Sequence, residues 1–250
     1  LFEFCFNEIN LAKKSINTIH FTIVFESSEK LKCSLLNDLL AKEFQDEDFC
    51  CLINDRGKGF PSCLNFGIIN SKADYIFRID TDDKSINNRY EIQSELMLNN
   101  NIDISYTFLE ENKTKRILKY PENFLSEIYL GIGVSPMAHP SICIKKEVFY
   151  IIGFYDEKLK RCEDIDLWIR YLLKFGNKKI SLIRQALVKY SIENSIKKSK
   201  ENAYQQIKIR FSYLKKSSTY LLLVSGMFSN ILRLIFPKIL LELYRIFQNK

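Results

Sequence analysis

The sequence has few of the residues that build metal centres from nitrogen or sulfur ligands. It contains only two histidines, His20 and His139, and none of its seven cysteines forms a Cys-x-x-Cys pair. A histidine-rich metal centre is therefore excluded, and the odd number of cysteines argues against a zinc site or a disulfide framework. Cys50 and Cys51 are adjacent within an apolar segment. We expect buried thiols in a reducing compartment.

The sequence also has no uninterrupted apolar run that could cross a bilayer, which takes about 20 residues. Residues 220–247 are strongly apolar but contain four charged residues and a proline: Arg233, Pro237, Lys238, Glu242 and Arg245. No RNA-recognition, KH, helix-turn-helix or zinc-finger pattern is present, so we expect no nucleic-acid partner. No signal-peptide pattern is visible, and because Leu1 already lies in a strand-like segment we expect a few leading residues to be missing.

The composition allows one substantial core and a basic appendage. The chain has 250 residues, 46% of them hydrophobic, and a net charge of +7. Eleven basic residues follow residue 195, and only Glu201 and Glu242 oppose them. We expect a folded domain over residues 1–195 and a basic, amphipathic helical tail over residues 196–250. A membrane surface is the expected partner of this tail, and packing on protein is the alternative.

Strand-like and helix-like segments alternate along the first domain. We predict strands at residues 1–6, 20–25, 49–53, 75–79, 102–109 and 141–144, and helices at residues 9–19, 29–44, 61–70, 87–99, 146–152 and 161–175. This alternation predicts an α/β fold with a mostly parallel sheet and helices on both faces. Residues 110–140 carry no readable pattern.

The most informative segment is residues 75–83, Tyr-Ile-Phe-Arg-Ile-Asp-Thr-Asp-Asp. It begins as an apolar run typical of a strand and ends in three carboxylates, Asp80, Asp82 and Asp83. Neighbouring carboxylates repel one another, and a divalent cation with oxygen ligands is the usual reason to keep them together. In open α/β sheets, ligands bind beyond the carboxyl ends of the strands. We therefore predict a metal site at the end of this strand.

Two other interpretations exist for the same three carboxylates. They can form a polar turn that caps the following helix, because Asp is favoured at helix N-termini. They can also open a calcium loop, in which Asp80, Asp82, Asn88 and Glu91 take positions 1, 3, 9 and 12. Position 6 of that loop is Ser85 instead of glycine, and the preceding segment is strand-like, which argues against the calcium loop. The capped turn stays open at this point.

Several motifs over about residues 1–190, taken together and in order, resemble the family 2 glycosyltransferases. Residues 78–83 are similar to Arg-Met-Asp-Ala-Asp-Asp, the family's DxD motif, and Lys58-Gly59 with residues 64–68 is similar to Lys-Gly followed by Leu-Asn-x-Gly-Ile. Residues 4–8 are similar to the family's Pro-x-Tyr-Asn-Glu, and residues 24–28 to its Val-Asp-Asp-Gly-Ser. The family's acceptor-side signature is matched by residues 139–141, 153–156 and 163–168.

This resemblance implies a GT-A fold over residues 1–195 and a nucleotide-sugar donor, with residues 1–195 forming the catalytic domain. By the matched motifs, the donor-binding residues are Phe6, Asn7, Glu8, Glu26, Lys58, Asn65, Arg78, Asp80 and Thr81. Asp82 is the implied direct ligand of Mn²⁺ or Mg²⁺. Asp80 is implied to contact the ribose or a metal-bound water, and Asp83 is implied to support Asp80 and Asp82. Glu26 departs from the family's Asp-Asp: it can still accept a hydrogen bond from a base or ribose, but its longer side chain moves the carboxylate.

The resemblance also implies the acceptor side of the site. Asp164 is the implied general base and Glu163 its catalytic neighbour, whereas helix N-terminal charge is the alternative for both. A single base carboxylate with no nucleophile implies one displacement with inversion at the anomeric carbon. His139 and Trp168 are the expected acceptor residues, with a structural histidine and a core tryptophan as alternatives. Asp166 is expected to be structural.

The matched motifs look most like those of enzymes of bacterial capsule, exopolysaccharide or O-antigen assembly. This resemblance implies an inverting transferase that moves a hexose, with galactose as the expected sugar, from a UDP-sugar to a lipid-linked surface glycan. The expected location is the cytoplasm, peripheral on the inner face of a bacterial cytoplasmic membrane. Two alternatives stay open. One is a nucleotidyltransferase on a related α/β fold, although Asn7-Glu8 is not the glycine-rich phosphate loop that it requires. The other is a degenerate, non-catalytic scaffold protein.

Overall fold

A computed structural model describes residues 1–15, 19–122, 126–191, 196–214 and 220–236. The helices within these ranges are α1 (Phe2–Ser15), α2 (Lys30–Leu40), α3 (Phe60–Asn70), α4 (Arg89–Asn99), α5 (Ser126–Gly131), α6 (Lys146–Ile152), α7 (Glu163–Phe175), α8 (Ile196–Tyr213) and α9 (Tyr220–Ile235). The strands are β1 (Phe21–Glu26), β2 (Phe49–Asn54), β3 (Tyr75–Phe77), β4 (Lys84–Ser85), β5 (Ile104–Glu111), β6 (Ile117–Leu118), β7 (Cys143–Lys145) and β8 (Ile180–Tyr190).

Two sheets organise the described residues. Strands β1 and β2 pair in parallel, from Phe21 opposite Phe49 to Glu26 opposite Asn54. The second sheet has the strand order β3-β7-β5-β8-β4, with β6 beside β5. The carboxyl ends of β1 and β2 therefore lie side by side. Residues 80–83, which we call the acidic segment, follow the end of β3 in the second sheet.

The predicted α/β fold is confirmed, but the predicted parallel pairing holds for only part of it. Among the described strands, β1–β2 and β5–β8 are parallel, whereas β3–β7, β4–β8, β5–β6 and β5–β7 are antiparallel. Hydrophobic periodicity locates a strand but gives no direction, because direction depends on how the connection returns the chain. The mostly parallel sheet was therefore a wrong prediction for the second sheet.

The predicted strand at residues 1–6 is also wrong, because these residues open helix α1. Cys5, Ile9 and Ala12 are buried at spacings of four and three, which is the period of one helix face. Six mostly apolar residues are too few to separate this pattern from a strand. Strand β8, which the sequence analysis did not predict, pairs with β5 from Ile180 opposite Ile104 onward.

The described part of the expected tail packs on the main core. Ile209 of α8 and Leu223 of α9 belong to the same buried apolar cluster as Trp168. Arg210 is fully buried and donates hydrogen bonds from Nε and Nη2 to the carbonyl oxygen of Leu130, at 3.3 and 3.0 Å. Residues 237–250 of the tail lie outside the described residues, and the boundary at residue 195 stays a prediction. None of the described helices is both long and apolar enough to span a membrane.

All seven cysteines are free thiols, as expected from their spacing. Burial raises the pKa of Cys5 to about 11 and of Cys143 to about 12, so both stay protonated at neutral pH. These cysteines therefore behave as small apolar side chains in the cores rather than as nucleophiles or metal ligands.

Candidate active site

The three carboxylates after strand β3 converge on one point. One oxygen from each of Asp80, Asp82 and Asp83 lies within 4.8 Å of the other two. Asp82 is exposed, Asp80 is partly exposed, and Asp83 is only 4% exposed. A helix cap does not need three converging carboxylates, and the helix that follows, α4, has no side-chain cap from any of them. The geometry therefore favours a cation site over the capped turn.

Asp83 is the most informative of the three. Its Oδ1 accepts a hydrogen bond from the backbone N–H of Ser191 at 3.3 Å, but its buried Oδ2 has no hydrogen-bond partner. Burial, followed by the charge of Asp80, raises the pKa of Asp83 to about 7. A buried oxygen that is left without a donor is costly, and a bound divalent cation would satisfy it and lower that pKa. The residues therefore fit Mn²⁺ or Mg²⁺.

Arg78 lies beside these acids. It is 8% exposed and forms an ion pair with Asp80, while its guanidinium lies 5.4 Å from the centroid of the Phe60 ring. Its Nε is buried without a hydrogen-bond partner. The pKa of Asp80 is raised by burial, and Arg78 opposes that rise. Arg78 thus stabilises the ionised form of Asp80 and keeps a donor available for a bound group.

The second group of carboxylates opens helix α7. Asp164 accepts a hydrogen bond from Ser135 Oγ at 3.5 Å, and both Glu163 and Asp164 are partly exposed. Burial raises the pKa of Asp164, and burial followed by the charge of Asp164 raises the pKa of Glu163 to about 7. A carboxylate whose pKa is shifted toward neutrality is suited to accept a proton.

Arg78 links the two carboxylate groups into one site. Its positive charge lowers the pKa of Asp83 in the first group and of Glu163 and Asp164 in the second, against the larger effect of burial. Asp80 in turn raises the pKa of Glu163, so the two groups of carboxylates are near enough to interact electrostatically. Carboxylates gathered around a single arginine would repel an anionic ligand, and a divalent cation held by Asp80, Asp82 and Asp83 would offset that repulsion.

The loop between β2 and α3 borders the same site. Glu26, at the end of β1, accepts a hydrogen bond from the backbone N–H of Gly59 at 2.7 Å. Gly59 has a φ of 90°, a conformation that favours glycine, and Phe60 follows it to contact Arg78. Glu26 therefore positions this loop. Lys58 in the loop and Thr81 in the acidic segment are exposed, and their predicted donor contacts stay predictions.

Two residues predicted to bind the donor, Asn65 and Glu8, form hydrogen bonds within the protein instead. Asn65 is buried and uses both ends of its amide: Nδ2 donates to Tyr155 O and Glu157 Oε1, and Oδ1 accepts from Tyr155 N, each at 2.9 Å. Glu8 accepts hydrogen bonds from Ser85 N at 2.7 Å and Tyr90 Oη at 2.6 Å. Both side chains connect elements around the site, which corrects their assignment as donor-binding residues.

The predicted Pro-x-Tyr-Asn-Glu match at residues 4–8 fails for a structural reason, because these residues lie within helix α1 and not at a strand end. The Phe6 ring packs between the rings of Phe2 and Phe44, at centroid distances of 5.8 and 5.5 Å. Asn7 is exposed on the helix. Neither residue has a described contact with the acidic segment.

On the acceptor side, Trp168 is fully buried and packs in the main core, 6.1 Å from the His139 ring between centroids. The structure therefore corrects the assignment of Trp168 to the acceptor surface. His139 is 8% exposed, its Nε2 is hydrogen-bonded to Tyr155 Oη at 2.9 Å, and burial lowers its pKa well below the usual value. It is a neutral histidine with a satisfied partner, which favours the structural alternative. Asp166 is structural as expected, since it binds Arg170 and Tyr213.

Several residues that were not predicted from the sequence support the site from distant positions along the chain. Arg89 is fully buried and donates to the carbonyl oxygens of Arg78, at 2.8 Å, and Ile142, at 3.3 Å. Ser191 donates hydrogen bonds from its backbone N–H to Asp83 Oδ1 and from its Oγ to the carbonyl oxygen of Asp82. Burial raises the pKa of Tyr190 to about 12, and the nearby charge of Asp83 contributes to this rise. No local pattern marks these residues, because their partners are up to 109 positions away.

No protein-family model matches the chain. Among curated proteins, it is 28% identical over 222 residues to the uncharacterized glycosyltransferase MJ1057 of Methanocaldococcus jannaschii, which covers 82% of this chain and 73% of that protein. It is 30% identical over 152 residues to the O-antigen biosynthesis glycosyltransferase WbnJ of Escherichia coli, covering 57% of each chain. It is 28% identical over 172 residues to a UDP-Gal:alpha-D-GlcNAc-diphosphoundecaprenol beta-1,3-galactosyltransferase of Escherichia coli, covering 66% of this chain and 59% of that protein.

Solved structures of glycosyltransferases share the fold. The mannosyltransferase PcManGT of Pyrobaculum calidifontis, in complex with GDP-Man and Mn²⁺, has a TM-score of 0.63 at 9% identity and covers 92% of this chain and 69% of that one. S. aureus TarS 1–349 in complex with UDP-GlcNAc has a TM-score of 0.55 at 13% identity and covers 86% of this chain and 72% of that one. The predicted GT-A fold is confirmed.

The fold, the acidic site and the relatives agree on the class of protein. The chain is a transferase enzyme of the glycosyltransferase class.

Proposed function

We propose that the chain is an inverting, metal-dependent hexosyltransferase of glycosyltransferase family 2 that takes its sugar from a UDP-sugar and adds it to a lipid-linked surface glycan. The observation that carries this proposal is the pair of carboxylate groups on either side of Arg78. Asp80, Asp82 and Asp83 suit a cation with a diphosphate, and Asp164 suits an acceptor hydroxyl.

The charged residues of the donor half of the site suit a diphosphate bound together with a cation. Asp82 and Asp83 would hold the cation, and Asp80 is available to it or to the ribose. When bound, the cation supplies Lewis-acid stabilisation of the negative charge on the departing nucleoside diphosphate. Arg78 adds a positive charge and an unused N–H at the same place. Glu26 keeps the Gly59 loop beside Arg78, so the departure from the family's Asp-Asp leaves this loop in place.

The acceptor half requires proton transfer. Asp164 accepts the proton of the acceptor hydroxyl while that oxygen attacks the anomeric carbon, and the bond from this carbon to the diphosphate oxygen breaks. Ser135 Oγ lies 3.5 Å from one oxygen of Asp164, although its shorter contact is with the carbonyl oxygen of Met137 at 2.8 Å. Glu163 is the adjacent carboxyl, and its raised pKa lets it hold a proton near neutrality. With no carboxylate assigned as nucleophile, the reaction is a single displacement, so an α-linked donor gives a β-linked product.

The donor sugar and the acceptor that we propose are based on the names of the relatives. The Escherichia coli galactosyltransferase named above uses UDP-Gal and a diphosphoundecaprenol-linked sugar, and WbnJ is named for O-antigen biosynthesis. We propose galactose as the donor sugar and a polyisoprenyl-diphosphate-linked glycan as the acceptor of this chain. Such an acceptor would place the enzyme in the cytoplasm at the inner face of the bacterial cytoplasmic membrane.

The first experiment is calorimetric titration of UDP into the protein with and without Mn²⁺, for the wild type, Asp82→Asn and the matched control Asp74→Asn. Asp74 is an exposed aspartate just before β3 and outside the acidic segment. We expect binding that requires Mn²⁺ in the wild type and the control, and a loss of at least about 10-fold in affinity in Asp82→Asn, because a metal ligand is removed.

A comparison of nucleotides separates the remaining possibilities. Binding of GDP in preference to UDP would retain a glycosyltransferase but correct the donor. If UDP, GDP and the other nucleoside diphosphates all fail to bind in the presence of Mn²⁺, the catalytic proposal is wrong and the scaffold interpretation takes its place.

A further inference from the structure

Helix α9 presents an apolar face to solvent. Leu221, Val224, Phe228, Ile231 and Ile235 are 41–68% exposed, and their spacing of three, four, three and four places them on one side of the helix. The opposite side is buried, at Leu223, Gly226 and Asn230. A row of five exposed apolar side chains on one helix is more than the isolated surface residues that are normal for a soluble domain.

Helix α5 extends this surface. Ile128 and Ile132 are 51% and 47% exposed. The two helices are fixed to each other by side-chain hydrogen bonds, from Ser225 Oγ to Gly131 O at 2.8 Å and from Ser229 Oγ to Ile132 O at 2.7 Å. We call the seven exposed residues the α5–α9 face; they are Ile128, Ile132, Leu221, Val224, Phe228, Ile231 and Ile235.

The α5–α9 face is directly connected to the acceptor half of the site. Gly133 follows the face with a φ of 77°, and a Cβ there would lie 2.8 Å from Asn230 Nδ2 and 3.2 Å from Gly226 O, so this backbone is held against α9. Two residues later, Ser135 Oγ lies 3.5 Å from Asp164 Oδ2 and 2.8 Å from the carbonyl oxygen of Met137. The general base is therefore linked to the apolar face through a short, closely packed segment.

Charge distinguishes this face from another apolar stripe on the molecule. Leu31, Leu35 and Leu39 of α2 are also exposed, but residues 26–48 around them contain seven acidic and three basic residues. Residues 195–250, which carry α9, contain eleven basic and two acidic residues. Lys208 of α8 is exposed and lies 4.5 Å from the ring of Tyr204, which is itself 53% exposed. An apolar helix face among basic residues suits the surface of an anionic bilayer.

We propose that the α5–α9 face docks in the plane of an anionic lipid bilayer and thereby delivers a lipid-linked acceptor to Asp164. The apolar side chains enter the boundary between headgroups and acyl chains, and the exposed Lys200 and Lys208 of α8 meet the anionic headgroups. This proposal rests on the proposed function in taking the acceptor to be lipid-linked and Asp164 to be its general base.

The test is flotation of the full chain with vesicles of phosphatidylcholine alone or with 30% phosphatidylglycerol. The α9 variant is Val224→Ser with Phe228→Ser, and the matched control is Leu31→Ser with Leu35→Ser on α2. We expect wild type and control to float with the anionic vesicles, and the α9 variant to lose at least about 10-fold in partitioning, because two apolar side chains leave the bilayer. All three proteins should keep the same Tm, since the substituted side chains are exposed.

Three results would overturn the proposal. One is equal partitioning of the α9 variant and the wild type. A second is an equal loss in the α2 control, which would show general adhesion of apolar surface. The third is a wild type that ignores vesicles but sediments as a dimer that the α9 variant dissociates, which would make the face an interface between two copies.

The UDP titration with Mn²⁺ on the same samples separates the two proposals. An α9 variant that binds UDP normally but no longer floats supports docking through this face independently of the donor site. A wild type that floats but binds no nucleotide leaves the docking surface in place and overturns the proposed function.

Discussion

Arg78 is the residue on which the two halves of the site depend. It shares a short segment with Asp80 and Asp83, yet its charge reaches Glu163 and Asp164 about 85 positions away. The sequence analysis identified all of these side chains from local motifs. Local motifs could not show that one arginine acts on both groups of carboxylates, because this arrangement depends on how the fold brings the residues after β3 near the start of α7.

At the same scale, Asp164 and Glu163 are adjacent but are expected to differ in function. Asp164→Asn should lower kcat by roughly 10²–10⁴-fold, because the amide cannot accept the acceptor's proton. Glu163→Gln should lower kcat by less than about 10-fold, since Gln preserves the shape of a residue that is not assigned the proton. The measurement is steady-state transfer from a UDP-sugar, with UDP binding followed in parallel. Equal losses in the two variants would contradict the assignment of Asp164 as the base.

Helix α1 illustrates how an element can support the site without touching a substrate. Its buried Glu8 binds Ser85 N and Tyr90 Oη, so the helix is tied to the strand that follows the acidic segment and to α4. The Tyr90 ring also contacts Phe21 of β1 and Phe77 of β3, at centroid distances of 6.1 and 5.3 Å. Glu8 thus stabilises the junction between the two sheets.

Glu8→Ala should therefore reduce the free energy of unfolding by about 2–4 kcal/mol, because two buried donors lose their acceptor. The matched control is Glu3→Ala, an exposed residue of the same helix, which should stay within about 0.5 kcal/mol of the wild type. Urea unfolding measures both. A small effect of Glu8→Ala would show that water or another group replaces the carboxylate, and a large effect on UDP affinity without loss of stability would restore Glu8 as a donor-binding residue.

At the scale of the whole molecule, the site opposes folding at neutral pH. Burial raises the pKa of Glu163 from its usual 4.5 to about 7, and raises that of Asp83 to about 7. Between the unfolded and folded pKa values, the folded protein binds more protons than the unfolded chain. These two carboxyl groups should therefore lower the free energy of unfolding as the pH rises from about 4.5 to about 7, whereas His139, whose pKa is lowered by burial, acts in the opposite direction below its usual pKa. Such a destabilised charge cluster is typical of functional sites.

This pH dependence can be measured by urea unfolding at pH 5 and pH 7.5 in the presence of EDTA. The decrease should be smaller in Glu163→Gln than in the wild type, because one of the titrating groups is gone. It should be unchanged in Asp74→Asn, an exposed aspartate outside the site. Adding Mn²⁺ at pH 7.5 should stabilise the wild type, since the cation binds the folded state. An identical pH dependence in the wild type and in Glu163→Gln would contradict the raised pKa of Glu163, since the contribution of His139 is the same in both proteins.

The sequence by itself determined the α/β class, the acidic segment and the Glu163-Asp164 pair, because each is encoded by residues within one short stretch. Only the tertiary structure decided the direction of the strands after β3, the core position of Trp168 and the internal roles of Asn65 and Glu8. Each of these depends on partners far along the chain, such as Tyr155 for Asn65 and Ser85 for Glu8. Local spacing fixes which chemistry a segment can carry, whereas long-range packing fixes which side chains remain free to perform it.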